Sequence, residues 1–251
     1  MTLPDHKTKI VCTIGPASST EPVLAEMIRN GMDVARLNLS HGSFTEHREN
    51  IRRIRSAATD AGRSVTILID LPGPKIRIGE LSAEPLLLTK GERVTLTADP
   101  ASAGGARIPV DFRRFPEMVT KGSIIYLNDG FLQLLVEEVT GSDVICTVVI
   151  GGHLLSRKGL NLVGTFPSID AVTDRDLECI AFGLSEGLDI FSISFVARAE
   201  DIRKARAYAA DLGKEIRVVA KIERGEALQK LDEILAAADG VMIARGDLGV
   251  Q

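Results

Sequence analysis

Residues Ile216 to Gly249 read IRVVAKIERGEALQKLDEILAAADGVMIARGDLG, which parses as a strand, a helix and a second strand. Both apolar strands end in charge, with Lys221 and Glu223 on the first and Arg245 and Asp247 on the second. Alternate side chains on a strand share a face, so Lys221 is expected to point with Glu223, and Arg245 with Asp247. A short helical crossover between neighbouring strands makes them parallel and sets their C-terminal ends side by side. Two carboxylates and two cations are then expected in one small volume.

The same plan recurs upstream. Lys9 to Gly15 (KIVCTIG) reads as a strand, and EPVLAEMIRNG, with Pro22 early and Gly31 at its end, as a helix. Val34 to Ser40 is a second strand. Ser43 and Glu46 form a capping box that opens a helix running to Gly62, and Ser64 to Leu71 is a third strand. After Pro72-Gly73-Pro74 the pattern changes to strand-like runs, LLLTKGERVTLTA, GSIIYLNDGFLQLLVEEV and DVICTVVIGG, broken at Lys90-Gly91, Asp129-Gly130 and Gly141-Ser142. From Thr173 the first pattern resumes, with the helix TDRDLECIAFGLSEG, the strand LDIFSISF and the helix AEDIRKARAYAADLG.

Six β-α units of this length match part of a (β/α)8 TIM-type barrel, incomplete because eight strands are needed to close it. The expected division is 1–74 and 167–251 for the α/β barrel domain, and 75–166 for an inserted β-rich, small barrel-like domain. A doubly wound sheet would need no further strands, yet no G-x-G-x-x-G follows the first strand. Nor does a G-x-x-x-x-G-K-[ST] phosphate loop occur anywhere.

Apolar residues make up 45% of the 251 and charged residues 25%, the balance of a soluble globular chain. The formal charge of -4 leaves no extended basic stripe, which argues against nucleic acid as main partner. Cys12, Cys146 and Cys179 are odd in number and widely spaced, as expected of reduced core thiols in a cytoplasmic setting. No apolar run reaches membrane-spanning length, and the polar start, MTLPDHKTK, does not read as a signal peptide.

Barrel enzymes build their sites at the C-terminal ends of strands. Here those ends carry Arg36, Asn38, Ser40 and His41, then Asp70, then Lys221 and Glu223, then Asp247. For each residue alone the plain alternative is a solvated strand-to-loop junction. Glu223 and Asp247 offer the hard oxygens magnesium prefers, although ion pairs to Arg245 or Arg224 would also account for both acids. Lys221 would polarise a carbonyl or stabilise an oxyanion, and a Schiff-base role is equally open to it. The amides of Gly246 and Asp247 would suit a substrate carboxylate, unless Gly246 only permits a turn. Arg36, Arg77 and Lys158 suit phosphate oxygens, the last two flanking the insert, or are simply surface charges. His41 reads as a satisfied polar residue or a nucleotide neighbour rather than a base.

The motifs KIVCTIGPAS, ARLNLSHG, DLPGPKIR, RKGLNL, SISFV, VVAKIE and MIARGDLGV, in this order, resemble those of the pyruvate kinase family over nearly the whole chain. The resemblance implies a barrel interrupted after strand three by a mobile β-rich lid, followed by a C-terminal regulatory domain. It also implies glycolytic phosphoryl transfer from phosphoenolpyruvate to ADP, giving pyruvate and ATP, in a cytoplasmic homo-oligomer, a tetramer at full length. Carried over by position, Glu223 and Asp247 are the expected ligands for Mg2+ (or Mn2+). Lys221 is the expected transition-state stabiliser, Arg36 the substrate-phosphate arginine, and Gly246 with Asp247 the carboxylate-holding backbone. Asn38, Leu39, Ser40, His41, Arg77 and Lys158 are the expected nucleotide contacts.

Two departures from the family pattern carry expectations of their own. Many members bind K+ through residues matching Asn38, Ser40, Asp70 and the carbonyl of Leu71, in a DTKGPEIR segment. Here the segment is DLPGPKIR, with Lys75 in place of the glutamate, so K+ is not expected to be required. The chain also stops at Gln251, before the family's strands seven and eight, so the 251 residues alone are expected to be inactive or barely active. Two other readings stand beside this one: a magnesium-dependent enolate-type carbon-carbon lyase on a related barrel, which would not need the insert, and a non-catalytic truncated product that docks with a partner.

Overall fold

The computed structural model describes residues 7–99, 107–128, 130–162 and 170–249. The chain divides into two compact units: 1–73, 170–222 and 230–242 form the first, and 74–169, 223–229 and 243–251 the second.

The first unit is α/β. Its strands are β1 (Ile10–Thr13), β2 (Met32–Asn38), β3 (Thr66–Asp70), β12 (Ile190–Ile193), β13 (Arg217–Ile222) and β14 (Gly240–Ile243). They form one sheet in the order β1-β2-β3-β12-β13-β14, with parallel pairing at β1–β2, β2–β3, β3–β12 and β12–β13. This is the incomplete TIM-type barrel sheet, and it stays continuous across the interruption between β3 and β12. β3 shows why the strands read as unbroken apolar runs: Ile67, Leu68 and Ile69 are all buried, one face on the helices and the other on the interior. The edge strands differ, since Ile10, Val11, Val241 and Ile243 are exposed.

The helices follow local sequence rules. α1 (Glu21–Arg29) opens with Pro22 in its first turn, where a missing N–H costs nothing. α2 (Phe44–Asp60) starts at the Ser43 capping box, Ser43 Oγ accepting from Glu46 N and Glu46 Oε2 from Ser43 N at 2.6 Å. Its buried stripe of His47, Ile51, Ile54 and Ala57 has helical spacing. α3 (Asp174–Ser185) is capped by Thr173 with Asp176 in the reciprocal role, and α4 (Ala199–Asp211) follows β12.

The crossover after β13 is two helices, α5 (Gly225–Gln229) and α6 (Leu231–Ala237), rather than one. A larger correction concerns the end of the chain. β14 stops at Ile243, and Arg245–Leu248 forms a four-residue helix, α7. Residues two apart on a helix are turned about 200° from each other, so Arg245 and Asp247 do not share a face. The Gly246-containing turn closes hydrogen bonds from Leu248 N to Ala244 O and from Gly249 N to Arg245 O, which strand geometry would not allow.

The second unit is all β apart from its short helical pieces. Its main sheet runs β11-β7-β8-β9-β5-β6, using β5 (Arg93–Thr97), β6 (Arg107–Pro109), β7 (Ile124–Leu127), β8 (Leu132–Thr140), β9 (Asp143–Ile150) and β11 (Leu160–Leu162). Its pairs are antiparallel except β5–β6. β4 (Leu86–Leu88) pairs with β10 (Gly152–Leu154) in a separate ribbon. The run LLLTKGERVTLTA is therefore two strands with different partners rather than a hairpin of its own. Leu132, Leu134 and Val136 on β8 and Val144, Cys146 and Val148 on β9 are all buried, the period-two pattern of a half-buried sheet. Each such side chain contributes roughly 1.5–3 kcal/mol. Gly141, at φ 61, makes the tight β8–β9 turn, and Asp129 of the expected Asp129-Gly130 turn lies outside the described residues.

Candidate active site

In the first unit three strands, β2, β12 and β13, send polar groups to one buried carboxylate on a fourth, β3. Asp70, at the end of β3, is 2% exposed. Its Oδ1 accepts from Ser192 Oγ on β12 at 2.7 Å and lies 3.3 Å from Lys221 Nζ on β13. Its Oδ2 accepts from Arg36 Nε on β2 at 3.0 Å and from Arg36 Nη2. A carboxylate offers about four lone-pair sites, and these contacts fill them.

Two further contacts fix the cations. Arg36 Nη1 donates to Thr13 Oγ1 on β1 at 2.7 Å. Lys221 Nζ donates to Ser194 Oγ at 2.8 Å, while Ser194 Oγ donates to the Leu71 carbonyl at 2.7 Å. Parity explains the convergence, because Ser192 and Ser194 are alternate residues and face the same way as the strand ends beside them. Arg36 and Lys221 both bring positive charge to this one carboxylate. Arg36 remains partly exposed, at 24%, so this charge is open to an anion from solvent.

Asn38, Leu39, Ser40 and His41 lie on the loop after β2. Asn38 Oδ1 accepts from Ser40 N at 3.0 Å, a local turn that fixes the loop. Leu39 N donates to the Asp70 carbonyl at 3.0 Å, and His47 Nε2 on α2 donates to the His41 carbonyl at 2.8 Å. His41 and Ser40 are exposed. Of the four groups expected around K+, the Asp70 carboxylate bonds Arg36, Lys221 and Ser192, the Leu71 carbonyl accepts from Ser194, and Asn38 Oδ1 accepts from Ser40 N.

The second unit holds the other candidates. Glu223, the residue after β13, is 2% exposed. Asp247 lies on α7 beside Gly246, in the first turn, where amides have no intrahelical acceptor. Its Oδ1 accepts from Lys75 Nζ at 3.0 Å, with the two side chains 23% and 24% exposed. Neither alternative ion pair expected from sequence, to Arg245 or Arg224, is the one formed with Asp247. Two carboxylates are the donor chemistry a hard dication takes, one of them here in contact with an ammonium on a flexible stem, and no group of three or more metal-ligating side chains forms among the described residues. Arg77 and Lys158 are on paired segments: Arg77 bridges Gly159 antiparallel, and Ile78 N donates to the Lys158 carbonyl at 3.0 Å. Arg77 Nη1 also donates to the Arg157 carbonyl at 3.1 Å.

Thr13, Ser192 and Ser194 were not singled out from sequence. The available signal was two serines of one parity in the otherwise apolar run IFSISF. Asp176 was missed likewise: buried, it accepts from Gly73 N at 2.9 Å and from Thr173 N at 2.7 Å. Cys146 and Cys179 are fully buried, as core thiols should be, and Cys12 is half-buried. No helix among the described residues is long and apolar enough to cross a membrane.

Comparison with known proteins gives these positions a family. The family described as pyruvate kinase, barrel domain, matches residues 5–251. A pyruvate kinase of Thermococcus litoralis is 46% identical over 251 residues, which is all of this chain and 53% of that protein. One from Mycobacterium intracellulare is 38% identical over 98% of this chain and 52% of its own length, and pyruvate kinase 2 of Synechocystis is 42% identical over 98% and 42%. The chain spans about half the length of the curated relatives it matches. With the match running through every strand of the sheet described above, the chain belongs to the pyruvate kinase family.

Proposed function

We propose that these 251 residues are the barrel and lid portion of a cytoplasmic, glycolytic phosphotransferase that moves a phosphoryl group from phosphoenolpyruvate to ADP, yielding pyruvate and ATP. The observation that carries this reading is the Arg36–Asp70–Lys221 cluster, two cations locked on one buried carboxylate at the strand ends. Phosphoryl transfer asks little covalent work of a protein and much positioning of positive charge.

In this reading Arg36 presents its guanidinium edge to the phosphoryl oxygens, a match of planar donors to tetrahedral acceptors. Lys221 stabilises negative charge as it develops on the transferring group and the enolate oxygen. Because Ser194 and Asp70 already hold its ammonium, little reorganisation is needed when that charge appears. Gly246 and Asp247 offer first-turn amides to the substrate carboxylate. Asn38, Leu39, Ser40, His41, Arg77 and Lys158 contact the nucleotide. Glu223 and Asp247 would hold Mg2+ or Mn2+, which supplies charge neutralisation on phosphoryl oxygens.

K+ is not required in this proposal, since a lysine stands at position 75 and the Asp70 and Leu71 oxygens are engaged within the protein. A Lys75→Glu variant whose behaviour remains indifferent to added K+ would count against that assignment. Full turnover belongs to a protein of the relatives' length, assembled as a homo-oligomer. With Ile10, Val11, Val241 and Ile243 exposed on the edge strands, the 251 residues alone are proposed to turn over barely, if at all.

The test is calorimetric binding of phosphoenolpyruvate with Mg2+, alongside a lactate-dehydrogenase-coupled assay. Arg36→Met and Lys221→Met should each weaken binding at least tenfold. Unchanged binding in both variants would overturn the assignment, and normal turnover by the wild-type chain would overturn the claim that it needs more.

A further inference from the structure

The mechanism above uses Asp247 and the lysine at position 75, but not the contact between them. Nζ stands 3.0 Å from Oδ1, and both residues belong to the same compact unit. We propose that Lys75 is a resident counter-cation of Asp247, which a divalent ion must displace, so that this lysine sets the metal affinity of that carboxylate. The proposal deepens the reading of Asp247 as a metal ligand and rests on it.

The chemistry is competitive. An ammonium has three donors and no acceptor, so unlike a water or a backbone carbonyl it cannot itself become a ligand of the dication. Held at contact distance, it also adds like-charge repulsion to any ion approaching that oxygen.

The pair is built to open. Both side chains are about a quarter exposed, which screens the attraction and lets the freed ammonium be rehydrated. Lysine is a point charge on a stem of four rotatable methylenes, whereas an arginine fork would hold the same carboxylate through two parallel hydrogen bonds. The segment preceding Lys75 is stiffer than the side chain, since Pro72 and Pro74 each fix φ. Release is therefore a side-chain rotation rather than a backbone rearrangement. Without metal, the lysine keeps Asp247 compensated. With metal, the carboxylate changes partner at modest cost.

The experiment measures free Mn2+ by electron paramagnetic resonance in titrations of the 251-residue chain and its variants, with no substrate and no turnover required. Lys75→Gln should bind Mn2+ about three- to tenfold more tightly at low salt, an advantage that shrinks as salt rises. Lys75→Arg should bind no more tightly than wild type. Asp247→Asn should lose at least tenfold. In parallel, Mg2+ added to the wild-type chain should shift the Lys75 side-chain methylene resonances while the amide spectrum stays that of the folded protein.

The outcomes separate the two layers. If Asp247→Asn and wild type bind Mn2+ alike, Asp247 is not a ligand, and the metal reading falls together with this proposal. If Asp247→Asn weakens binding but Lys75→Gln binds equally or less tightly than wild type, the ligand assignment survives and the counter-cation role is overturned, Lys75 then serving to orient Asp247.

Discussion

Lys221 on β13 donates across 2.8 Å to Ser194, the residue after β12, so the ammonium at the centre of the candidate site is positioned from the end of a neighbouring strand rather than by its own. Ser194 is 3% exposed and donates its own hydroxyl hydrogen bond to the Leu71 carbonyl at 2.7 Å. Ser194→Ala keeps the Cβ and removes both contacts. It should destabilise the chain by about 2 kcal/mol, since hydrogen bonds to charged groups are worth roughly 1.5–3 kcal/mol. A shift of the urea midpoint with an unchanged slope would verify this. No shift would mean that Lys221 is held without Ser194.

Asp70→Asn keeps the shape and removes the charge that balances Arg36 and Lys221. Breaking a buried pair from one side costs roughly 3–5 kcal/mol, because the remaining charges stay desolvated and uncompensated. The same swap at Glu49, whose partners Arg52 and Arg53 are on the solvent-facing side of α2, should leave the midpoint unmoved. Denaturant melts of the two variants side by side give the comparison, and equal effects would show that the Asp70 cluster adds nothing to the fold.

Gly73 and Gly62 both have positive φ, +64 and +60, but only Gly73 is crowded. A Cβ there would sit 2.8 Å from Ser194 Cβ and 3.1 Å from the Phe195 ring, whereas at Gly62 nothing lies within 4 Å. Gly62→Ala should cost about 1 kcal/mol for the left-handed backbone. Gly73→Ala should cost that plus roughly 1–3 kcal/mol for overpacking. Thermal melts of the two variants would test the ordering, and a reversed order would show that the turn at Gly73 moves freely.

Burial pushes the Cys146 thiol up to about 12 and the Cys179 thiol up to about 11, from an ordinary value of 9.0. Both folded-state values are raised, so as pH climbs through 9.0 the unfolded chain releases protons that the folded chain retains, and stability falls. Below that pH the two states bind equally and this contribution is flat. A neutral thiol is also a poor nucleophile. With a disulfide reagent at pH 8, Cys12 alone of the three cysteines should react quickly in the folded chain, and all three after denaturation. Rapid loss of all three thiols under native conditions would refute the buried assignment.

The strands of the barrel were legible because parallel strands buried on both faces leave unbroken apolar runs, as in TILID of β3, and because Ser43 and Thr173 announce their helices by capping chemistry that acts within four residues. β6, β10 and β11 were not. Each is three residues long, too short for periodicity to register, and takes its extended form from its pairing, β6 with β5, β10 with β4 and β11 with β7. Arg245 and Asp247 misled for a related reason: a charged end to an apolar strand reads the same whether the chain continues extended or turns into a single helical turn.

The sequence by itself determined the order of strands and helices and which residue types reach the strand ends, since both follow from interactions a few residues in range. The pairings were decided only in three dimensions: Asp70 with Arg36 and Lys221, Lys221 with Ser194, Lys75 with Asp247. Which oxygen meets which cation depends on the register of strands far apart in the chain, and register is fixed by the packing of the whole sheet.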